Sequence, residues 1–208
     1  MNERIYENPW NITIRRIFDM NKSDILKKCH KEHILDSVPV YEAKMVQQFN
    51  HRWATYTNNE IRELSFEKSD PFCFTNPRYW MPSIYVKENF KDKWDRNWLL
   101  VWRDITNSTN ERTVIASILP WVATDFTLRV CFPIMENIQH LLMANLNSYV
   151  FDFCARSMLG GTHLSDYIMK QLPVIPPKEY YRLTNWCSNQ KTYNWFSPRV
   201  LELTYTAW

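Results

Sequence analysis

The feature that most constrains this sequence is its shortage of glycine. The 208 residues contain two glycines, Gly160 and Gly161, and they are adjacent. A glycine pair after a long apolar-periodic segment predicts a helix end at which the backbone adopts a positive φ and approaches another molecule closely. We therefore expect Gly160 and Gly161 to shape a functional loop that presents Thr162 and His163. A plain helix terminus followed by a connector is the alternative.

The composition predicts a folded domain with some aromatic residues left over for an interface. An apolar fraction of 45% in a chain of 25.2 kDa is enough for one large domain with a substantial core. Aromatic residues make up 15% and include ten tryptophans, more than a core normally holds, so we expect some rings at an interface or groove. The net charge of +3 permits an anionic partner without requiring one.

The cysteines and the hydropathy pattern favour a cytoplasmic protein. The five cysteines are odd in number and form no Cys-x-x-Cys pair, which is typical of reduced thiols. No segment approaches the roughly 18 consecutive apolar residues of a membrane span, so we expect no membrane association. Cys29, His30 and His33 lack a second ligand pair at zinc spacing, and we expect no metal site there.

The apolar periodicity predicts a mixture of strands and helices. Strands are expected within residues 5–20 and at 98–105, 113–119 and 126–132. Helices are expected at 22–31, 86–95, 162–172 (capped by Thr162 or Ser165) and 180–187, with a charged loop at 61–69 and a bridge to further sequence from 195 onwards. The apolar stripe from Met135 to Cys154 has helical spacing with a step at Asn147 and Ser148, and we assign it to the core.

These elements predict an α+β fold with a mixed β-sheet, a long helix and a helical C-terminal segment. We divide a single domain, residues 1–208, into an N-terminal segment (1–36), a β-rich part (37–134) and a helical part (135–208).

Two polar segments contain the residue types that contact DNA. Residues 38–56 mix amides, cations and aromatic rings, and the loop 106–112 follows a strong strand and contains no glycine. Amide side chains pair with adenine edges, and cations contact phosphates. We expect Gln47, Gln48, Asn107 and Asn110 to contact bases and Lys44, Arg52, Arg112 and Lys170 to contact phosphates. A solvated strand edge and a polar turn are the alternatives.

A metal-dependent nuclease is a further alternative. Glu42-Ala43-Lys44 matches the Glu-x-Lys half of a nuclease motif. The nearest upstream acid, Asp36, lies six residues before Glu42, which is too close for the separate strand that usually supplies the other half. We therefore rank this hypothesis below DNA recognition.

A set of spaced motifs resembles a known family. The motifs, in order, are Pro9-Trp10, Phe18-Asp19-Met20, Tyr41-Glu42-Ala43-Lys44-Met45, Gln48-Phe49-Asn50-His51-Arg52-Trp53-Ala54-Thr55-Tyr56, Arg103-Asp104-Ile105-Thr106, Asn110-Glu111-Arg112-Thr113, Leu146-Asn147-Ser148, Gly160-Gly161-Thr162-His163 and Lys170-Gln171-Leu172-Pro173. Together they are similar to the C-terminal half of large adenine-N6 DNA methylases of restriction and phage-defence systems, which include single-chain type II restriction enzymes. The passage into Pro176-Pro177 also resembles the specificity subunits of multi-subunit restriction enzymes.

The resemblance implies a target-recognition domain that binds a short sequence of double-stranded DNA. It also implies a preceding catalytic domain in cis that holds S-adenosylmethionine, so that this chain is the C-terminal part of a longer methylase. Within such a domain, the residues that we expect to bind DNA are Lys44, Gln47, Gln48, His51, Arg52, Arg103, Asn107, Asn110, Arg112, Thr162, His163 and Lys170.

Two departures from the family indicate that this chain does not itself transfer methyl groups. The catalytic Asn/Asp-Pro-Pro-aromatic tetrapeptide is absent, and the adjacent Gly160 and Gly161 cannot form a spaced-glycine cofactor loop. We therefore expect no cofactor and no metal in this chain. Besides the nuclease, a protein-docking module of a defence complex is an alternative, which an exposed, uncharged aromatic patch would favour.

Overall fold

The computed structural model describes residues 3–7, 9–91, 93–133, 137–187 and 189–205. These residues form an α+β fold, as the sequence predicted. The strands are β1 (Glu3–Arg4), β2 (Ile12–Arg15), β3 (Ser37–Tyr41), β4 (Ala54–Thr57), β5 (Glu60–Glu63), β6 (Trp80–Pro82), β7 (Trp98–Arg103), β8 (Ala116–Pro120), β9 (Ala123–Thr124), β10 (Leu128–Pro133) and β11 (Pro173–Val174). The α-helices are α1 (Ser23–Leu26), α2 (Ser83–Phe90), α3 (Gln139–Leu146), α4 (Tyr149–Met158), α5 (Asp166–Gln171), α6 (Pro177–Tyr180) and α7 (Thr192–Thr204).

An antiparallel four-stranded sheet, in the order β2-β10-β7-β8, organises the domain. A second sheet has the order β6-β3-β9, in which β3 and β9 are parallel, and β1-β11 and β4-β5 form two-stranded pairs. The antiparallel pairing places the end of β7 beside the start of β8, so Arg103 lies next to the polar loop that leads into Ala116.

Strand β7 has an almost continuous apolar sequence because its residues pack into the core on both faces of the sheet. Successive strand residues point to opposite faces. Leu100 and Trp102 belong to the core cluster on the side of α3 and α4, whereas Leu99 and Val101 belong to the cluster shared with β3, β6 and α2. Both faces of the sheet are therefore buried at β7. The strand predicted at 98–105 is confirmed and ends at Arg103.

The predicted step between two helices is also confirmed. Helix α3 ends at Leu146, and Ser148 caps α4 by accepting a hydrogen bond from the Phe151 backbone N–H. The Asn147 side chain between the two helices donates to the carbonyl of Ala116 and accepts from its N–H, each at 2.9 Å. This amide acts as a one-residue extension of the sheet beside β8. Met135 of the predicted stripe lies outside the described residues.

The assignment of the whole stripe to the core is wrong for α4. Phe151 and Ala155 are buried, but Tyr149, Val150 and Phe153 are exposed. The apolar residues of α4 surround more of the helix than the side that packs against the core. We call these three exposed residues the α4 apolar face.

Several predicted elements have different bounds. The helix expected at 22–31 is the short α1, the helix expected at 86–95 is α2, and the helix expected at 180–187 is replaced by α6 and by α7, which begins at Thr192. Helix α7 was missed because Pro198 lies inside it, where proline normally ends a helix. The loop expected at 61–69 contains β5 in its first part.

Asparagine takes the place of glycine in the turns of this chain. Among the described residues, positive φ angles occur at Asn11, Asp36, Phe49, Asn58, Asn59, Asn137 and Asn189, and at neither glycine. Asn58 and Asn59, at φ angles of 52° and 65°, connect β4 to β5 in the manner of a type I′ hairpin turn. Asparagine tolerates the left-handed conformation better than other residues that carry a Cβ.

Candidate nucleic-acid interface

Three polar segments that are distant in the sequence meet at one end of the four-stranded sheet. Residues 46–49 lie against this end because Arg103 Nε donates to the Val46 carbonyl at 2.8 Å and the Phe49 N–H donates to the Ala116 carbonyl at 3.1 Å. The loop after the two glycines joins them through a hydrogen bond of 3.0 Å from the Thr106 N–H to the Thr162 carbonyl. The geometry thus brings three of the segments that carry motifs of the resemblance together.

A fully buried carboxylate, Asp104, lies at the centre of this end. Its Oδ2 atom accepts from Arg16 Nη2 at 2.9 Å and from His163 Nδ1 at 3.1 Å. Its Oδ1 atom is 3.0 Å from Arg129 Nη2, a close charge contact without the alignment of a hydrogen bond. Arg129 Nη1 in turn lies 2.9 Å from Asp166 of α5. We call these five residues the Asp104 cluster.

The Asp104 cluster contains two half-exposed side chains. Arg16 and His163 have 47% and 53% of their side chains exposed, while Arg129 is buried. His163 was predicted from the sequence as a site residue, whereas Arg16, Asp104 and Arg129 were not. A signal was present, because an aspartate that directly follows an apolar buried strand needs charged partners.

A second buried carboxylate, Asp152 of α4, holds the polar loop 106–112 in place. Asp152 Oδ1 accepts from the Thr113 and Val114 N–H groups at 2.8 and 2.7 Å. Arg156 lies 3.3 Å from Asp152 Oδ2 and also donates to the carbonyls of Asn110 and Glu111, each at 2.9 Å. These contacts hold the loop 106–112 in one conformation.

The amides that we expected to contact bases divide into two groups. Gln48 Nε2 donates to the Val114 carbonyl at 3.0 Å, so this side chain stabilises the fold, which does not favour the expected base contact. Gln47 is half-buried, and its Oε1 accepts from the Gln48 N–H at 3.1 Å. Asn107 and Asn110 are exposed at the tip of the loop, where Asn107 Oδ1 accepts from the Thr109 N–H.

The expected phosphate contacts divide in the same way. Lys44 and Lys170 are exposed. Arg52 is only 6% exposed and donates to the Asp70 carbonyl, and Arg103 donates to the Val46 carbonyl through two of its nitrogens. Arg112 donates to the Asn147 carbonyl. These three arginines connect backbone segments inside the domain. Their contacts do not favour Arg52 and Arg112 as phosphate contacts, or Arg103 as a DNA-binding residue.

Burial lowers the pKa of two of these side chains. Burial, with a smaller contribution from the Arg52 charge, lowers the pKa of His51 to about 4, so His51 is neutral at neutral pH. Burial also lowers the pKa of Arg103, to about 10, which leaves it charged. His51 is therefore not a cationic phosphate contact.

The two glycines do not have the conformation that the sequence suggested. Neither adopts a positive φ, and a Cβ atom built on either meets no atom within 4 Å. The expectation that Gly160 and Gly161 shape the loop through a left-handed backbone is therefore wrong. Both are exposed, as are Thr162 and His163, and helix α5 begins after Ser165, which caps it.

Replacement of Gly161 by alanine should leave the domain folded. Because φ is not positive and space is open, we expect the free energy of unfolding to stay the same or rise by up to about 1 kcal/mol through a less flexible unfolded chain. Asn59→Ala, at a φ of 65°, is the control and should lose about 1 kcal/mol. Urea unfolding measures both, and a larger loss for Gly161→Ala than for Asn59→Ala would contradict the described backbone.

The residues of the nuclease hypothesis are engaged with other side chains. The Glu42 carboxylate accepts from the Tyr56 hydroxyl at 2.8 Å and from Arg78 Nη2 at 3.0 Å. Lys44 instead borders a small cleft with Arg62 and Glu63. Within the described ranges there is no group of three or more His, Cys, Asp or Glu side chains arranged to hold a metal ion.

Comparison with known proteins adds no assignment. No protein-family model matches the sequence, and no curated protein matches it at a significant level. In the part of the chain that the structure covers, no helix has both the length and the apolar character needed to cross a lipid bilayer.

Proposed function

We propose that this chain is a sequence-specific DNA-recognition domain of a restriction-modification adenine-N6 DNA methyltransferase whose catalytic domain lies outside the chain. The observation that supports the proposal is the convergence of the motif segments 46–50, 103–113 and 160–164 at one end of the four-stranded sheet. These segments carry the resemblance in the sequence. Their contacts give them a common surface.

The exposed amides of the loop 106–112 are the groups best suited to contact bases. Asn107 and Asn110 are both exposed, and an asparagine amide can pair with the N6 and N7 atoms of adenine in the major groove. Each such pair contributes roughly 1–3 kcal/mol of discrimination against the wrong base. Asp152 and Arg156 hold the loop before DNA arrives, which lowers the entropy cost of binding.

Exposed cations and one histidine are suited to contact phosphates. Lys44 and Lys170 are exposed, and Arg16 and His163 are half-exposed. Thr162 adds an exposed hydroxyl beside the glycines. In this division of labour, S-adenosylmethionine binds to the catalytic domain, since the adjacent Gly160 and Gly161 of this chain cannot form a spaced-glycine cofactor loop.

Binding of duplex DNA should depend strongly on salt. If two or more phosphates are neutralised, affinity for a 20-bp fluorescent duplex should fall at least about tenfold between 50 and 200 mM salt. Selection from a pool of randomised duplexes should enrich one short site, and Asn107→Ala should relax the preference at one position of that site. Fluorescence anisotropy measures the affinities. Salt-independent binding, or selection that enriches no site, would contradict sequence-specific recognition.

A second candidate function, a protein-docking module, has one observation in its favour. The α4 apolar face of Tyr149, Val150 and Phe153 is exposed, and Val150 borders a cavity of about 390 Å³ lined also by Ile175 and Phe196. Exposed apolar patches of this kind mark protein contacts. The two functions are compatible, because the α4 apolar face could contact the catalytic domain while the sheet end contacts DNA.

A further inference from the structure

We propose that Arg16 and His163 together hold one phosphodiester group of the DNA backbone, the histidine as an imidazolium, with Asp104 as the positioning residue. This inference rests on the proposed function, and it adds Arg16 and Asp104 to the DNA contact expected of His163. Its basis is the geometry of the Asp104 cluster, in which one buried carboxylate oxygen holds both half-exposed side chains.

The carboxylate fixes both side chains in position. Asp104 Oδ2 lies 2.9 Å from Arg16 Nη2 and 3.1 Å from His163 Nδ1, so the two donors are bound to the same oxygen atom. Asp104 itself cannot move freely, because it is fully buried and Arg129 contacts its other oxygen at 3.0 Å. The remaining N–H groups of Arg16 and the Nε2 atom of His163 belong to side chains about half in solvent.

An anion fits this arrangement better than a base edge. A guanidinium has five N–H donors and no acceptor, and Arg16 donates to Asp104 through one nitrogen, Nη2. A phosphodiester offers acceptor oxygens alone, so it can take donors from both side chains. Gly160 and Gly161 lie just before His163 and leave open space, so that a backbone phosphate meets no Cβ there.

The Asp104 contact determines how His163 can bind a phosphate. A carboxylate only accepts, so His163 Nδ1 must carry the proton that it shares with Asp104, and Nε2 carries one only when the ring is an imidazolium. A neutral ring that binds a phosphate through Nε2 therefore takes one proton from solvent. Among the described residues, the charged side chains facing His163 in this cluster are Asp104, Arg16, Arg129 and Asp166.

The contact therefore predicts proton-linked binding. One linked proton raises DNA affinity by at most about tenfold per unit of falling pH. Burial raises the pKa of Asp125 to about 6, so the pH dependence must be assigned by variants. Burial lowers the pKa values of His51 and His140, so neither explains a change above pH 6.5.

The first test compares two neighbouring arginines. Arg16→Ala should weaken binding of the 20-bp duplex and reduce the slope of log affinity against log salt by about 0.9, the value for one lost phosphate contact. Arg15→Ala, at the exposed neighbouring position on β2, removes the same charge outside the Asp104 cluster and should change the slope by less than half as much. Equal changes in the two slopes would overturn the inference.

The second test uses pH with the full chain and the same duplex. Wild-type affinity should be at least about threefold higher at pH 6.5 than at pH 8.0, and His163→Gln should lose that difference. His33→Gln, at a histidine that packs against Trp80, should retain it. Retention of the pH dependence in His163→Gln would overturn the imidazolium contact.

The outcomes separate the inference from the function on which it rests. If the wild-type chain binds no duplex at 50 mM salt, both the proposed function and the phosphate contact are overturned. If the wild type binds a specific site with strong salt dependence while Arg16→Ala and His163→Gln behave as wild type, the phosphate contact alone is overturned.

Discussion

Replacing Asp104 by alanine is expected to lower the free energy of unfolding by about 3–5 kcal/mol, the usual cost of leaving a buried charge without its partner. Arg129 is buried and would keep only Asp166, while Arg16 and His163 would lose the atom that holds them. Urea unfolding followed by circular dichroism measures the loss.

Asp166→Ala is the matched control for Asp104→Ala. Asp166 also contacts Arg129, but its side chain is 35% exposed at the start of α5, so we expect a loss of about 1 kcal/mol or less. If both variants lower the free energy of unfolding by the same small amount, Asp104 is not the centre of the Asp104 cluster.

Asn147→Ala is expected to cost about 2–4 kcal/mol. The alanine would leave the buried N–H of Ala116 without its hydrogen bond and remove one of the two donors to the Ala116 carbonyl. Unsatisfied buried polar groups cost roughly 1–3 kcal/mol each, and the side chain itself is buried. Thermal or urea unfolding measures the change.

Asn107→Ala removes the same amide from the exposed loop and should change stability by less than about 0.5 kcal/mol. A loss for Asn147→Ala as small as that for Asn107→Ala would show that the pairing with Ala116 is not made in solution.

Local patterns predicted those parts of the fold that depend on local physics. The apolar run of β7, the step at Asn147 and the Ser165 cap follow from period, propensity and capping, and each is present. Helix α7 was not predictable from propensity, because packing compensates for Pro198 inside it. The turn at Asn58 and Asn59 was missed because glycine was taken as the signal of positive φ.

The candidate site was predictable by residue type but not by partner. Asn107, Asn110, Lys44 and Lys170 have the exposure that a DNA contact requires. Arg52, Arg103, Arg112 and Gln48 are instead bound to backbone carbonyls of other segments. Sequence composition cannot distinguish a cationic side chain that is free to contact a phosphate from one that joins two segments of the fold.

The Asp104 cluster was missed because its members are far apart in the chain. Arg16 and Asp104 are separated by 88 positions, and Asp104 and His163 by 59. The pairing of β2, β10 and β7 brings Arg16 to Asp104, and backbone hydrogen bonds between residues 104–106 and 162–164 bring His163 to it. Long-range pairing of this kind leaves no periodic signal in a single sequence.

The central claim is that one end of the four-stranded sheet contacts DNA, and the most direct test is to map the contact on the protein. We would record backbone amide NMR shifts of the isotope-labelled chain as a duplex carrying the selected site is added. The proposal predicts that the largest shifts fall in residues 103–112 and 160–164. Shifts confined to α2 and α7, with no shift in residues 103–112 and 160–164, would contradict it.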